Sequence, residues 1–290
     1  AVDLEAGESI RNSDVLAPAG AAVLTATAGE IDASDVQALE DITAGAGDAI
    51  FASSFVSETA DLDITSGGDI AGSDFYAKAG SASFNDGGAT GQFDGNVVET
   101  DEEIVLDASW INGSTFVSET GYIDIEATAG DIAAGSATSK TSYVEATAAG
   151  NIDALAVDAE DYVVLDADSV LNGSATSKTA SVTVDAGAYI SDQDIDAATF
   201  VSLDAANDVA NTSILAGGDV TVGDDAAVVS LHTGEIVSGG AVAVNLTEEM
   251  DGSTVNALST VMVTANNVTN SNVDADDLID VDAVTDISNS

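Results

Sequence analysis

The side chains most able to do chemistry are the lysines, and two of the three lie in one repeated heptapeptide. The sequence GSATSKT occurs at Gly135–Thr141 and again at Gly173–Thr179, with Lys140 and Lys178 as its sixth residues. A glycine followed by Lys-Thr invites comparison with a phosphate-binding loop, whose pattern is G-x-x-x-x-G-K-[ST] between a strand and a helix. Here a serine precedes each lysine and a strand-like segment follows it. The pattern therefore favours a structural unit over a nucleotide site.

Three aspartates recur at one position of a repeated segment and are the candidate metal ligands. Asp166, Asp185 and Asp204 each precede an alanine in the segments VVLDA, VTVDA and VSLDA. If these segments stack, the carboxylates lie about 5 Å apart and repel one another, which salt or a bound divalent cation would relieve. Calcium takes six to eight oxygen ligands, however, and a single row of carboxylates supplies few of them. A calcium site, diffuse cation association and an ordinary solvated face all remain open.

The composition limits the partners that the chain can have. Its 290 residues include 52 Asp and Glu against 4 Lys and Arg, for a formal net charge of -48. Repulsion by phosphate argues against nucleic acid and anionic membranes as partners. Branched aliphatic residues are abundant and regularly spaced, which predicts a folded chain. Cysteine is absent, and no segment approaches the roughly 20 apolar residues of a membrane span, so we expect neither disulfides nor membrane insertion.

Apolar residues recur with a period of about 20 residues along almost the whole chain. Each period contains three short apolar patches. In most periods the first patch is a pair of apolar residues at i and i+2, such as Leu62 and Ile64. The third patch contains Phe55 in one period and Phe93 in a later one. The second patch lies between the first and the third, and it contains one mostly branched residue per period, which we call the isoleucine column. Its members are Ile10, Ile31, Ile50, Ile70, Ala89, Ile111, Ile132, Ile152, Val170, Ile190, Val209, Val228, Met250, Val268 and Ile287.

This periodicity predicts the fold. Alternation at i and i+2 is typical of strands, and the Gly, Asn, Asp and Ser residues between the patches are turn formers. Three short strands per period, without a hairpin signal or a helical stripe, predict an all-β right-handed parallel β-helix (β-solenoid) of about 14 to 15 coils of about 20 residues. At about 4.8 Å per coil, the rod would be about 70 Å long. We expect residues 1–290 to form one continuous solenoid.

The repeat unit V-x-L-x-A-x-G-D-I-x-x-S-x-V-x-A resembles the repeats of filamentous-haemagglutinin-like adhesins. The likeness is clearest in VDLEAGESIRNSDV, LDITSGGDIAGSDF and IDIEATAGDIAAGS, and it spans nearly the whole chain. The resemblance implies a secreted, elongated surface fibre or adhesin. The secretion domain that begins those proteins is not visible in this sequence, which suggests a shaft segment of a longer fibre.

Charged residues form a further column, about eight residues beyond the isoleucine column. Stacking would place each lysine one coil above or below a carboxylate, where opposite charges stabilise and like charges destabilise. Each exposed pair contributes about 0.2–1 kcal/mol, so the column is expected to affect register more than stability. Duplication of coils without selection for charge is the alternative. With one member two residues out of step, the predicted charge ladder is Glu58, Lys78, Glu99, Glu119, Lys140, Glu160 and Lys178.

Catalytic groups are few. The chain has one arginine, Arg11, and one histidine, His232, and neither has a catalytic partner in its sequence context. Enzymes with parallel β-helices that act on polysaccharides use carboxylates with Arg or Lys in a groove between long loops, and coils of about 20 residues leave no room for such loops. We therefore predict no enzymatic activity and no cofactor, although an enzyme acting on polysaccharides is kept as an alternative.

These observations together predict a structural component of an extracellular fibre, biofilm matrix or adhesin shaft that stacks end to end. Its partners would be further copies of itself, with cell-surface or matrix polysaccharide as a second class. Divalent cations such as calcium could bridge the acidic rods. A passive stalk that presents a binding domain outside this chain is the alternative.

Overall fold

The computed structural model describes residues 1–85, 91–223, 228–288 and 290, and all the regular secondary structure of these residues is β. No helix occurs in these ranges, and consequently none that could cross a membrane. Strands of successive turns pair in parallel, and partners lie 18 to 23 residues apart. The prediction of an all-β parallel β-solenoid is confirmed. The chain comprises two compact units, Ala1–Gly150 (unit 1) and Asn151–Ser290 (unit 2).

Each turn of unit 1 contains three short strands, which we call strands a, b and c in chain order. Strands a and b belong to one parallel sheet, and strands c form a second one. Strands a are Val2–Ala6, Ala22–Ala26, Ile42–Ala46, Leu62–Ser66, Ala82–Asn85, Ile104–Ala108, Ile123–Ala127 and Val144–Ala148. Strands b are Ile10–Arg11, Ile31–Asp32, Ile50–Phe51, Ile70–Ala71, Gln92–Asp94, Trp110–Asn112 and Ile132–Ala133. Strands c are Asp14–Ala17, Asp35–Ala38, Ser54–Ser57, Asp74–Ala77, Val97–Thr100, Thr115–Ser118 and Ser136–Ser139.

Unit 2 repeats this plan, but in several turns strands a and b join into one longer strand. Register shifts within these longer strands make the bend that unit 1 makes with a separate turn. The joined strands are Val163–Leu171, Val182–Ser191, Val242–Asp251, Thr260–Thr269 and Leu278–Ser288. Separate strands a are Val201–Ala205 and Val220–Val222, and separate strands b are Asn151–Asp153, Asp208–Ala210 and Val228–His232. Strands c are Ala156–Ala159, Ser174–Ser177, Asp194–Ala197, Ser213–Ala216, Glu235–Ser238, Thr254–Ala257 and Asn272–Ala275.

Alternate residues of each strand face the core, as the sequence pattern predicts. In Leu62–Ser66, for example, Leu62, Ile64 and Ser66 are buried, whereas Asp63 and Thr65 are exposed. Because parallel partners share a face, identical or similar side chains stack from turn to turn. The core of each unit is therefore a set of continuous aliphatic columns.

A cluster of five phenylalanines lies in the core of unit 1. The rings of Phe55 and Phe75 stack at a centroid distance of 5.2 Å, and those of Phe93 and Phe116 at 5.7 Å. Phe84 meets Phe75 edge to face at 4.8 Å. Each such aromatic pair adds about 0.5–1.5 kcal/mol beyond the burial of its surface. The aromatic cluster thus fills the part of unit 1 where the turns are least regular.

A left-handed residue lies between strand b and strand c in turn after turn. In unit 1 this position is Asn12, Ala33, Ala52, Gly72, Gly95, Gly113 and Ala134, and in unit 2 it is Ala154, Asn172, Asp192, Asn211, Thr233, Gly252 and Asn270. A left-handed backbone costs most residues about 1–2 kcal/mol, and only glycine, Asn and Asp adopt it readily. The alanines at this corner therefore store strain that the stacked neighbours hold in place.

Buried polar side chains follow the left-handed corner and connect the turns of unit 1. The backbone N–H of Ser34 donates to Ser53 Oγ at 3.2 Å, and that of Ser53 donates to Ser73 Oγ at 3.1 Å. The N–H of Ser73 donates to Asn96 Oδ1 at 2.9 Å, and the N–H of Asn96 donates to Ser114 Oγ at 3.2 Å. All five side chains are buried. This ladder satisfies backbone groups that the sheets leave unpaired.

The fifth turn departs from the predicted columns. Ala89, which the fixed period places in the isoleucine column, lies outside the described residues. Phe93 occupies that column instead, because it pairs with Ile70 and with Ile111. Val98 then takes the strand c position that the sequence pattern assigns to Phe93. This turn is longer than its neighbours, so counting in steps of a constant period misplaces its residues.

A similar error affects one turn of unit 2. Val228 was expected in the isoleucine column, but it pairs with Leu246, ahead of that column. The column position belongs to Leu231, which pairs with Val209 and with Met250. Extra residues before strand b again shift the later residues relative to a constant period.

Candidate functional site

All members of the predicted charge ladder except Glu99 lie at the corner that directly follows strand c. From the third turn of unit 1 onward this position is occupied by Glu58, Lys78, Asp101, Glu119 and Lys140, which we call the charged corner. The backbone N–H of each donates to a carbonyl of the preceding turn, so the five residues occupy equivalent places. Acidic residues therefore flank Lys78 on both sides, in the turn before and in the turn after.

A buried serine builds this corner and accounts for the repeated heptapeptide. The Ser139 hydroxyl donates to the carbonyl of Gly121 in the preceding turn at 2.7 Å, and it accepts the N–H of Ser142 at 3.1 Å. Ser118 makes the same two bonds, to the Glu102 carbonyl and from the Gly121 N–H. GSATSKT and FVSET thus share one corner, in which serine faces inward and the next residue points to solvent.

A threonine closes the same corner. The hydroxyl of Thr120 donates to the Asp101 carbonyl at 2.7 Å, and in unit 2 the hydroxyl of Thr179 donates to the Glu160 carbonyl at 2.6 Å. In each of these bonds a serine or threonine hydroxyl donates to a backbone carbonyl of the preceding turn. The hydrogen bonds give the heptapeptide a structural role.

Two lysines of the charged corner form ion pairs with the turn before. Lys78 Nζ lies 2.6 Å from Glu58 Oε1, and Lys140 Nζ contacts Glu119 Oε1. All four side chains are about half exposed. Water and salt therefore screen these pairs, and each contributes at most about 1 kcal/mol.

Glu99 does not lie at the charged corner. It pairs with Tyr76 and Val117 within strand c, on the outward face, and Asp101 occupies the corner in that turn. The extra residues of the fifth turn explain the offset of two positions. Glu99 instead lines an open hollow beside the corner, with Tyr76, Lys78, Asp101 and Glu119. Burial raises the pKa of the Tyr76 hydroxyl, and neighbouring carboxylates raise it further.

In unit 2 the ladder has a different pairing from the predicted one. Glu160 and Lys178 both follow a strand c and occupy equivalent corners. Lys178 Nζ nevertheless lies 2.7 Å from Asp158 Oδ1, which is in strand c, rather than pairing with Glu160. Asp158 and Glu160 are two residues apart and both point outward, so a flexible lysine has a choice of carboxylates.

The three candidate metal ligands form a row on unit 2. Asp166 pairs in register with Asp185, and Asp185 pairs in register with Asp204. Parallel partners lie about 4.8 Å apart, so the carboxylates line up along successive turns. Among the residues that the structure describes, no three His, Asp or Glu side chains converge as a metal site does. The row is an acidic band, with its charges side by side.

Unit 1 has an acidic group with a perturbed pKa. Asp124 lies in strand a and pairs in register with Glu145. Partial burial raises the pKa of the Asp124 carboxyl, and the negative charges of Glu145, Asp107 and Glu126 raise it further. Burial is the larger cause of the raised pKa, and the stacking of like charges on one outward face adds to it.

The remaining candidate groups have ordinary surroundings. Arg11 forms an ion pair with Glu30 of the next turn. His232 Nε2 lies 3.9 Å from Glu249 Oε1, and both side chains are partly exposed. The carboxyl of Asp251, near His232, accepts hydrogen bonds from Thr269 and Asn270, which lower its pKa. These contacts are between side chains of adjacent turns and resemble those of the charged corner.

The chain was compared with protein-family models and with curated proteins, and neither comparison finds a match.

Proposed function

We propose that the chain is a structural component of an extracellular fibre or adhesin shaft, without catalytic activity, whose turns continue from one copy to the next. Support for the proposal comes from the parallel stacking within each unit. Every turn offers its neighbour the same backbone groups and the same columns of side chains, so a further turn can be added without a new kind of contact.

The observation that carries the proposal is the edge of unit 2. The joined strand Leu278–Ser288 pairs with Thr260–Thr269, and in the described part of the chain no strand pairs with its other edge. Ile279 is 45% exposed and Ile287 is 54% exposed, although their partners Val261 and Val268 are buried. A further parallel turn would cover these side chains, and in a fibre it is supplied either by more of the same chain or by the next copy, head to tail.

The surroundings favoured by the sequence agree with this role. The resemblance of the repeats to filamentous-haemagglutinin-like adhesins favours a secreted location, and the charge of -48 keeps parallel rods apart in solution. Divalent cations could bridge the acidic rods into a matrix. The charge also disfavours nucleic acid as a partner.

Electron microscopy of the purified chain over a range of concentrations tests the proposal. We expect unbranched filaments that lengthen with concentration and diffract at about 4.8 Å along their axis, as stacked parallel strands do. Ile279→Asp should abolish the filaments, because it places a charge on the covering surface. Leu258→Asp is the matched control, since Leu258 is 66% exposed on a strand-flanking turn. Isolated particles at every concentration would instead support the stalk alternative.

A further inference from the structure

The single tryptophan of the chain is displayed on the surface of unit 1. Trp110 begins strand b Trp110–Asn112, and its side chain is 45% exposed, whereas the next residue, Ile111, is buried in the core. An indole exposed to this extent leaves a large apolar area in water. The outward neighbours of this strand are polar, so the exposure is not part of a wider apolar patch.

Gly130 in the following turn forms a flat bed for the indole ring. A Cβ built on Gly130 would lie less than 3.0 Å from Cδ2, Cε2 and Cε3 of Trp110. An atom that is close to three fused-ring atoms at once lies over the face of the ring, not at its edge. One face of the indole therefore rests on the glycine, and the exposed area belongs to the opposite face and the rim. Any larger residue at position 130 would push the ring away.

Polar residues flank Trp110 along its strand and in the two adjacent turns. Gln92 is the register partner of Trp110 in the preceding turn, and it is exposed. Asn112, two residues along the same strand, donates from Nδ2 to Asp94 Oδ1 at 2.7 Å. Asp131 follows the glycine bed, and its carbonyl accepts the N–H of Ile111 at 3.0 Å. The residues next to Trp110 on the outward face are therefore polar rather than apolar.

We infer that Trp110 on its Gly130 bed binds a pyranose ring of an uncharged polysaccharide. A pyranose presents C–H bonds on one face and hydroxyl groups around its rim. The C–H face matches the apolar, electron-rich face of the indole, and the hydroxyl groups suit a surface whose other residues are polar. The net charge of -48 disfavours acidic polysaccharides at the same place.

The size of the site also favours a sugar over a protein partner. Stable protein interfaces need about 800 Å² from each partner and an apolar centre. A single exposed indole face offers far less. One ring stacked on one sugar is a weak site, with a Kd on the order of 1 mM, and it gains strength when many copies along a fibre hold one polymer. The role of this polysaccharide as a partner of an adhesive shaft rests on the proposed function. Binding of the sugar to Trp110 does not require filaments.

Tryptophan fluorescence of the unassembled chain tests the inference, because Trp110 is the only tryptophan. Neutral hexasaccharides of glucose and of N-acetylglucosamine should quench or shift the emission in a saturable way, with a Kd on the order of 1 mM. Hexagalacturonate, an acidic oligosaccharide, should have at least tenfold weaker effect. No saturable change with any neutral hexasaccharide at ten times that concentration overturns the inference.

Variants assign the binding to the ring and to its bed. By calorimetry, Trp110→Ala should lose binding, and Gly130→Ala should weaken it at least tenfold with the circular dichroism of the strands unchanged. Phe200→Ala is the matched control, since Phe200 is a 49% exposed aromatic residue in unit 2, and it should bind normally. If Trp110→Ala keeps the affinity, the assignment is wrong. Filament formation is scored separately, so loss of sugar binding and loss of assembly are distinguishable.

Discussion

Lys78 Nζ lies 2.6 Å from Oε1 of Glu58, which occupies the same corner one turn earlier. The turn after Lys78 places Asp101 at that corner, so the lysine separates two carboxylates that would otherwise be neighbours. In a chain with 52 acidic and 4 basic residues, the few cations are most valuable where acids stack. The charged corner is thus a place where stacking geometry and composition conflict, and the lysine resolves the conflict locally.

Reversal of this charge should lower stability in a salt-dependent way. Lys78→Glu removes the pair with Glu58 and adds repulsion from Glu58 and Asp101, so the midpoint of urea unfolding should fall most at low ionic strength. The Debye length shortens from about 30 Å at 0.01 M to about 3 Å at 1 M salt, which should remove most of the difference. Lys78→Gln loses only the ion pair, so its urea midpoint should lie between those of the unchanged protein and Lys78→Glu. Equal midpoints for all three proteins at 0.01 M salt would leave the corner without an electrostatic role.

Much of this fold could be predicted because one period controls both the burial and the pairing. Once the apolar columns repeat every 19 to 20 residues, the parallel register follows, as for Ile31 with Ile50 and Leu62 with Ala82. A constant period misplaces residues where a turn has extra ones. Phe93 and Glu99 were misplaced for this reason, because a constant period carries no information about an insertion.

Side-chain choices and buried polar contacts were harder to predict. Lys178 selects Asp158 over Glu160, and no count along the sequence decides between two carboxylates within its reach. The buried ladder of Ser34, Ser53 and their neighbours was missed because serine is frequent throughout the chain. A signal was available, since a serine recurs three residues after the isoleucine column in several turns, as at Ser73 and Ser114.

Loss of the buried asparagine should be among the most damaging polar substitutions in unit 1. Asn96 accepts the Ser73 N–H at 2.9 Å and donates to the Ile70 carbonyl at 2.8 Å. Asn96→Ala leaves both backbone groups buried and unpaired, at a cost of about 1–3 kcal/mol for each. Urea unfolding should show a clear loss of stability. Asn112→Ala, which removes an exposed bond to Asp94, is the control and should change little.

Relief of strain at the left-handed corner should stabilise the protein. Ala52 has φ 45°, a conformation that glycine adopts without steric cost, and Ala52→Gly should raise the unfolding free energy by about 1 kcal/mol once the larger entropy loss of glycine is included. Ala71→Gly, in an ordinary strand b, is the control and should lower it by about 0.5–1 kcal/mol, because glycine loses more conformational freedom on folding. Opposite signs for the two substitutions are the decisive result. A loss of stability in both would show that the corner is unstrained.

Removal of the perturbed carboxyl should change the pH dependence of stability. Because burial and the charges of Glu145, Asp107 and Glu126 raise the pKa of Asp124, the folded state binds a proton more tightly than the unfolded state. Stability contributed by this proton is complete below the unfolded pKa of about 3.9 and is lost as the pH rises through the folded value. Asp124→Asn should therefore stabilise the protein at pH 7 and lose that advantage near pH 3, as measured by urea unfolding at both values. Asp63→Asn, at an exposed strand a position, is the control. An advantage for Asp124→Asn that stays constant with pH would have to come from packing, since only the charge titrates.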